Sequence, residues 1–327
     1  MERLSLVPAP LDDDELARAA EAAQALVAAC ARAVRAPTRA LHAAVACLLS
    51  GGHLLIEDVP GVGKTVLARS LARAAGCRFA RLQCTADLLP ADVTGVTIFN
   101  QRTQAFEFRA GPVFANLVLV DEVNRASPKT QSALLECMEE AQVTVDGETR
   151  ALPRPFMVIA TQNPVEYEGT FPLPEAQLDR FALRVSLGYP PPDQEAALLL
   201  ELGSPGADAV ERVSAVTDER ALRAAIEACG RVHADPSVAR YVADVCGATR
   251  DDPRLLLGAS PRAGLALLRA AKALALLDGR GHVLPDDVKA LAPLVLSHRL
   301  IVSASGGGAG VDEIVRDTLA TVHVPLA

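Results

Sequence analysis

Apolar residues first gather in a run rich in alanine and leucine from Leu16 to Val34. Asp12, Asp13 and Asp14 precede it, where carboxylates suit the positive end of a helix, and Pro37 cannot continue the element. The run therefore predicts a leading helix. Thr38 to Leu49 predicts a second, closed by Gly51 and Gly52. The apolar spacing then changes to a short uninterrupted block, HLLIED, as expected of a strand buried on both faces. Similar blocks recur from Phe79 to Leu82, Leu117 to Val120, Met157 to Ala160 and Leu183 to Val185, separated by helical or turn-rich stretches. This alternation predicts parallel strands joined by crossovers, an α/β fold.

Two stretches depart from the alternation. Val96 to Pro112 and Gln142 to Leu152 read as inserted β-hairpins, the second turning at Asp146 and Gly147. After Pro190, Pro191 and Pro192 strand-like blocks nearly vanish and helical text such as LRAAIEAC and LALLRAAKALALL takes over. The expected organisation is an N-terminal helical segment over 1–35, an α/β core over 36–190, and a linker with a smaller all-α domain over 191–327.

Composition narrows the function classes. The 327 residues are half hydrophobic, enough for a sizeable core, and only 3% aromatic without tryptophan, which disfavours an all-β architecture. Forty acids against 32 bases leave a formal charge of −8, a balance ill suited to coating a polyanion. Seven cysteines with no CxxC pair signal neither a disulfide framework nor a zinc knuckle and read as small buried residues in a reducing compartment. The six histidines form no ligand spacing, so they signal no metal site of their own. The N-terminal residues lack an apolar core behind a basic start, and no uncharged apolar run reaches the roughly 18 residues of a membrane span, so a cytoplasmic protein is expected.

Candidate chemistry begins directly after HLLIED. Val59, Pro60, Gly61, Val62, Gly63, Lys64, Thr65 and Val66 form a glycine turn between a strand and a helix, where backbone N–H groups wrap phosphate oxygens. Lys64 would reach the β and γ phosphates and the Thr65 hydroxyl would bind Mg²⁺. Asp58 stands where the strict GxxxxGK[ST] pattern has glycine, so the strand and helix context carries this assignment. LVLVDEVNRAS next delivers Asp121 and Glu122 to the C-terminal end of a buried strand, the edge where open α/β sheets bind ligands. Two acids there are costly without a cation. Asp121 would hold Mg²⁺ through water and Glu122 would polarise the attacking water. An acidic pair after a strand is by itself more often a helix N-cap; the phosphate loop earlier in the chain makes the catalytic assignment. Asn163, ending FMVIATQNP, could orient the same water. Arg180 in LPEAQLDRF and Arg262 in GASPRAGLALLRA could fork onto phosphate and stabilise transition-state charge, although either alone reads equally as a surface ion pair.

The order VPGVGKT, VLVDEVNRAS, ATQNP, EAQLDRF, SPRA resembles the AAA+ ATPases, specifically the MoxR family, over about residues 15 to 310. The resemblance implies a five-stranded αβα core, a helical lid and both hairpins. It implies that Lys64 and Thr65 are Walker A, Asp121 and Glu122 Walker B, and Asn163 sensor 1. It makes Arg180 the arginine finger acting on a neighbour's nucleotide and Arg262 sensor 2, in its own subunit or across the interface. Gln83 is a candidate for the polar residue on the neighbouring strand, and Tyr167 a candidate pore residue. The implied function is an ATP-driven ring, a hexamer, that remodels or activates a client protein, often with a partner bearing a von Willebrand factor A domain. The alternatives are the ATPase subunit of a metal chelatase and, against the mixed charge of Gln142 to Arg154 and the purely acidic Val165 to Thr170, a nucleic-acid motor.

Overall fold

The computed structural model describes residues 11–164, 169–203, 208–303 and 310–325. Its first helix, α1 (Asp13–Ala33), starts as expected: the Asp12 carboxylate accepts from the Glu15 N–H at 2.7 Å, and three further acids sit in the first turn. Ala19, Ala23, Leu26 and Cys30 line its buried face. The alanine-rich α2 (Thr38–Leu49) follows, and Gly51 and Gly52 turn the chain into β1 (Leu54–Glu57). Glycine is required at 52, because a Cβ there would lie 2.4 Å from that of Ala182.

Next come α3 (Lys64–Ala74), β2 (Phe79–Gln83), the short α4 (Pro90–Thr94) and a hairpin of β3 (Gly95–Asn100) and β4 (Ala105–Ala110). Then β5 (Leu117–Asp121) leads to α5 (Pro128–Glu140), capped by Ser127 with Pro128 at its first position. A second hairpin, β6 (Gln142–Val145) and β7 (Glu148–Ala151), precedes β8 (Met157–Gln162). Its turn residues Asp146 and Gly147 have φ of 53° and 81°, the left-handed pair that a two-residue hairpin loop needs. The one-turn α6 (Glu175–Leu178) leads into β9 (Leu183–Val185).

Five strands make one parallel sheet in the order β2–β5–β8–β1–β9. Alternate residues explain the uninterrupted apolar blocks, because both faces are covered. Leu54, Ile56, Leu117, Leu119 and Ile159 pack toward α1, α2 and α3, whereas Leu55, Val118, Val120, Val158 and Ala160 pack with Val93 of α4 and Leu134, Leu135 and Met138 of α5.

Beyond β9 the chain is mostly helical: α7 (Pro192–Leu202), α8 (Glu219–Arg231), α9 (Pro236–Asp251), α10 (Pro261–Leu277), α11 (Pro285–Leu296) and α12 (Val311–Thr321). Two-residue and three-residue strands that the apolar pattern could not announce, β10 (Leu255–Leu257) and β11 (Ile301–Val302), pair antiparallel within it. The apolar core around α1 to α3 runs on without a break into α8, α9, α10 and α11. Glu15 and Arg231 join α1 to α8 at 2.8 Å, and Gln24 donates to the carbonyl of Leu277 at 2.9 Å. None of the described helices is long and apolar enough to cross a membrane. All seven cysteines are free; six are buried, Cys77 partly so, and burial pushes the Cys84 thiol up to about 12.

Candidate active site

The loop after β1 is shaped by two left-handed glycines, Gly61 at φ 87° and Gly63 at φ 93°. A Cβ on Gly61 would meet open space, and Gly63 caps α3 without a side chain, so the first N–H groups of that helix face the loop. Lys64 opens α3 and folds back over the turn, its Nζ donating to the Asp58 carbonyl at 2.6 Å. Thr65 and Val66 follow, half-buried.

Asp58, the departure from the strict loop pattern, has a structural task that the pattern does not reveal. Its Oδ2 accepts from Leu187 N–H (2.7 Å), Gly188 N–H (2.8 Å) and the Ser186 hydroxyl (2.9 Å), while Oδ1 accepts from Val59 N–H. Burial alone would raise its pKa, but these donors outweigh burial and hold it below the usual carboxylate value. The carboxylate thus ties the start of the glycine loop after β1 to the segment leaving β9.

On the other side of β8, Asp121 ends β5 with its side chain nearly covered. One of its oxygens accepts from the Thr161 hydroxyl at 3.1 Å and the other from Arg81 Nε at 2.8 Å. Glu122 adopts φ 56°, a left-handed conformation uncommon outside glycine, and its N–H is held by Thr161 Oγ1 at 3.0 Å. Its carboxylate accepts from Gln83 Nε2 (3.0 Å) and from Arg125 (3.2 Å). Arg81 also donates to Gln83 at 3.3 Å. Gln83 therefore touches the proposed water-polarising acid directly. Arg81 and Thr161 were missed by sequence reasoning; the Arg-x-Gln spacing on β2 puts residues 81 and 83 on one face and was the available signal. Asn163 lies buried just past the end of β8. Tyr167 lies outside the described residues.

These groups share one edge. Strand β8 pairs with both β1 and β5, so Lys64, Thr65, Asp121, Glu122 and Asn163 all leave the C-terminal ends of three adjacent strands. Arg180 and Arg262 do not join them. Arg180 precedes β9, and Ala182 N–H bonds the carbonyl of His53, the residue before β1. Arg180 pairs with Glu139 of α5 at 3.0 Å and Arg262, in the first turn of α10, pairs with the same carboxylate. Hydrogen bonding from Arg262, then the charge of Arg180, holds Glu139 below its usual pKa. Both arginines border a cavity of about 320 Å³ together with Ser50, Gly51, Gly52 and His53, the N-terminal side of β1. His53 is buried there, its Nδ1 accepting from Val158 N–H at 2.9 Å and its Nε2 bonded to the Met138 carbonyl at 3.0 Å, and burial lowers its pKa to about 4.

The chain resembles known proteins along nearly its whole length. Residues 53–183 match the family described as "ATPase family associated with various cellular activities (AAA)", and 247–318 match an AAA lid domain. The Mycobacterium tuberculosis protein named Chaperone MoxR1 is 42% identical over 289 residues, covering 85% of this chain and 76% of that protein. The YeaC protein of Bacillus subtilis is 50% identical over 285 residues, 86% and 88% of the two chains. A crystal structure of a candidate ATPase from Cytophaga hutchinsonii superposes with a TM-score of 0.88 at 35% identity, over 96% of this chain and 98% of that one.

Proposed function

Because the chain belongs to the MoxR family of AAA+ ATPases, we propose that it binds ATP with Mg²⁺ at the C-terminal edge of its sheet and hydrolyses it in a ring. In that ring, a hexamer, each site is completed by the neighbouring subunit. The observation that carries this reading is the division between edges: phosphate loop, acidic pair and Asn163 on one, both arginines on the other. His53 and Asp58 are five residues apart along an extended strand, about 16 Å at a rise of 3.3 Å per residue. A guanidinium at the His53 end does not reach a phosphate on its own Lys64. We accordingly assign Arg180 and Arg262 together to the neighbour's γ phosphate.

Within one subunit, residues 60–66 would cradle the phosphates. Thr65 and Asp121 fit a hydrated Mg²⁺, since Asp121 already accepts from a cation, the Arg81 guanidinium. When bound, the ion would neutralise phosphate charge. Glu122 would draw the proton from the attacking water, oriented by Asn163, and Gln83 would hold Glu122 aside until the site is loaded. We assign residues 36–190 to the nucleotide-binding core, 191–327 to linker and lid, and 1–35 to an N-terminal helical segment whose α1 packs against both.

The work is done on a protein. Phe99 and Phe106 stand exposed on the first hairpin, their ring centroids 5.3 Å apart, a surface suited to a polypeptide client or a von Willebrand factor A partner rather than to a phosphate backbone. Lys64→Ala should abolish ATP binding in an equilibrium titration, while Glu122→Gln should retain it and slow turnover by about 10²-fold or more. Unchanged ATP affinity in Lys64→Ala would refute the site. Mixed rings of inactive Arg180→Ala and inactive Glu122→Gln subunits should recover hydrolysis.

A further inference from the structure

Arg299 is the most deeply buried arginine in an ion pair among the described residues, its side chain 3% exposed, and no motif includes it. It follows α11, in the lid, yet most of its donors go to three residues of the core within the stretch 179–182. Its Nε donates to the Asp179 carboxylate at 2.7 Å, and its terminal nitrogens donate to the carbonyls of Asp179 (3.2 Å), Phe181 (2.6 Å) and Ala182 (3.2 Å), with one more bond to Val295. His298 adds a bond to the same Phe181 carbonyl at 3.0 Å. A carbonyl only accepts, so Nε2 carries the proton and the buried Nδ1 stays unpartnered.

The second side-chain donor to that carboxylate lies in the lid as well. Ser260, which caps α10 by accepting from Ala263 N–H at 3.1 Å, places its hydroxyl 3.2–3.3 Å from Asp179. Arg262 is two residues further on. Asp179 therefore joins the Arg299 guanidinium to the start of the helix bearing Arg262, and the residue after Asp179 is Arg180 itself. Desolvation lowers the pKa of Arg299, opposed by its bond to Asp179. Burying an arginine is costly unless its donors are met, and only a guanidinium has enough donors to hold a carboxylate and several carbonyls at once. Lysine could not make this arrangement.

We propose that Asp179 and Arg299 are positioning residues that fasten the turn carrying Arg180 to the lid, so that a neighbouring site meets Arg180 and Arg262 as one preset pair. This rests on the reading that Arg180 serves the adjacent subunit. Displacing the turn by an ångström would misplace the guanidinium by as much, which can cost about 10²-fold in rate.

The test uses full-length chains in mixed rings, their composition confirmed by mass. The Glu122→Gln subunit donates an intact finger, and the Arg180→Ala subunit accepts it at an intact site. Adding Asp179→Asn to the donor should cut the recovered hydrolysis tenfold or more. Added to the acceptor, which has no finger left to misplace, the same change should leave recovery at the parent value. Arg299→Lys, which keeps the charge and loses the fork, should repeat this asymmetry, with thermal melting used to verify folding. Full recovery with the altered donor, or equal losses on both sides, would overturn the inference. Absence of recovery in the parent mixture would instead overturn the reading of Arg180 as a finger for its neighbour, and the clasp with it.

Discussion

The two edges of the central sheet are built in different ways. At the C-terminal edge every group belongs to a segment that continues its own strand: β1 into the phosphate loop, β5 into Asp121 and Glu122, β8 into Asn163. At the N-terminal edge the arginines come from a turn and from the lid, and what arranges them is contact between residues far apart in the chain. Glu139 and Arg262 are 123 positions apart, Asp179 and Arg299 120. The C-terminal edge is specified by short contiguous segments, whereas the arrangement of the arginines at the N-terminal edge is specified by tertiary packing.

The difference can be broken most sharply at Arg180. Arg180→Ala should lower turnover by about 10³-fold or more, the scale of an arginine finger, and leave the ATP affinity of the same subunit unchanged in titration. A comparable loss of affinity would mean that both edges serve one nucleotide.

Acid offers a second probe, directed at the arginine edge. His53 has a folded pKa of about 4 against 6.5 for an ordinary histidine, so the unfolded chain binds the extra proton first as pH falls. Its stabilisation is full above 6.5 and fades between 6.5 and 4, a loss of roughly 3 kcal/mol from 2.5 pKa units. His298 is displaced in the same direction, by burial and by the charge of Arg299. Denaturant titrations at successive pH values should show this slope, and His53→Gln should flatten part of it. An unchanged slope would contradict the buried neutral imidazole.

A smaller effect would sharpen the picture of the other edge. Thr161→Val removes one hydroxyl that both donates to Asp121 and accepts from the Glu122 N–H. Leaving those groups unpaired should cost about 1–3 kcal/mol in chemical denaturation. Turnover should fall as Glu122 loses the support of its left-handed backbone, while ATP affinity is kept.

Much of this molecule could be read before any coordinates. Strand blocks were legible because burial on both faces leaves uninterrupted apolar runs, and the second hairpin because Asp146 and Gly147 tolerate left-handed backbone. β10 and β11 were not, being too short to carry a period. At the candidate site, the glycine loop and the acidic pair stand out as local text, and Arg180 and Arg262 stand out only through resemblance. Arg299 was not: nothing in the string SHRL distinguishes an arginine that binds four carbonyls from one that faces water. Asp58 was visible but its meaning was not, since its partners lie nearly 130 positions away.

Asp58 also helps to fix the strand from which the chain passes toward the lid. Its carboxylate grips the chain just after β9, at Ser186 to Gly188, and the Arg299 cluster grips it just before, at Asp179 to Ala182. A three-residue strand is thus pinned at both ends, one pin at the phosphate loop and the other at the lid. The strand that leads from the sheet toward the lid is therefore held from two sides, by the loop after β1 and by the arginine that follows α11.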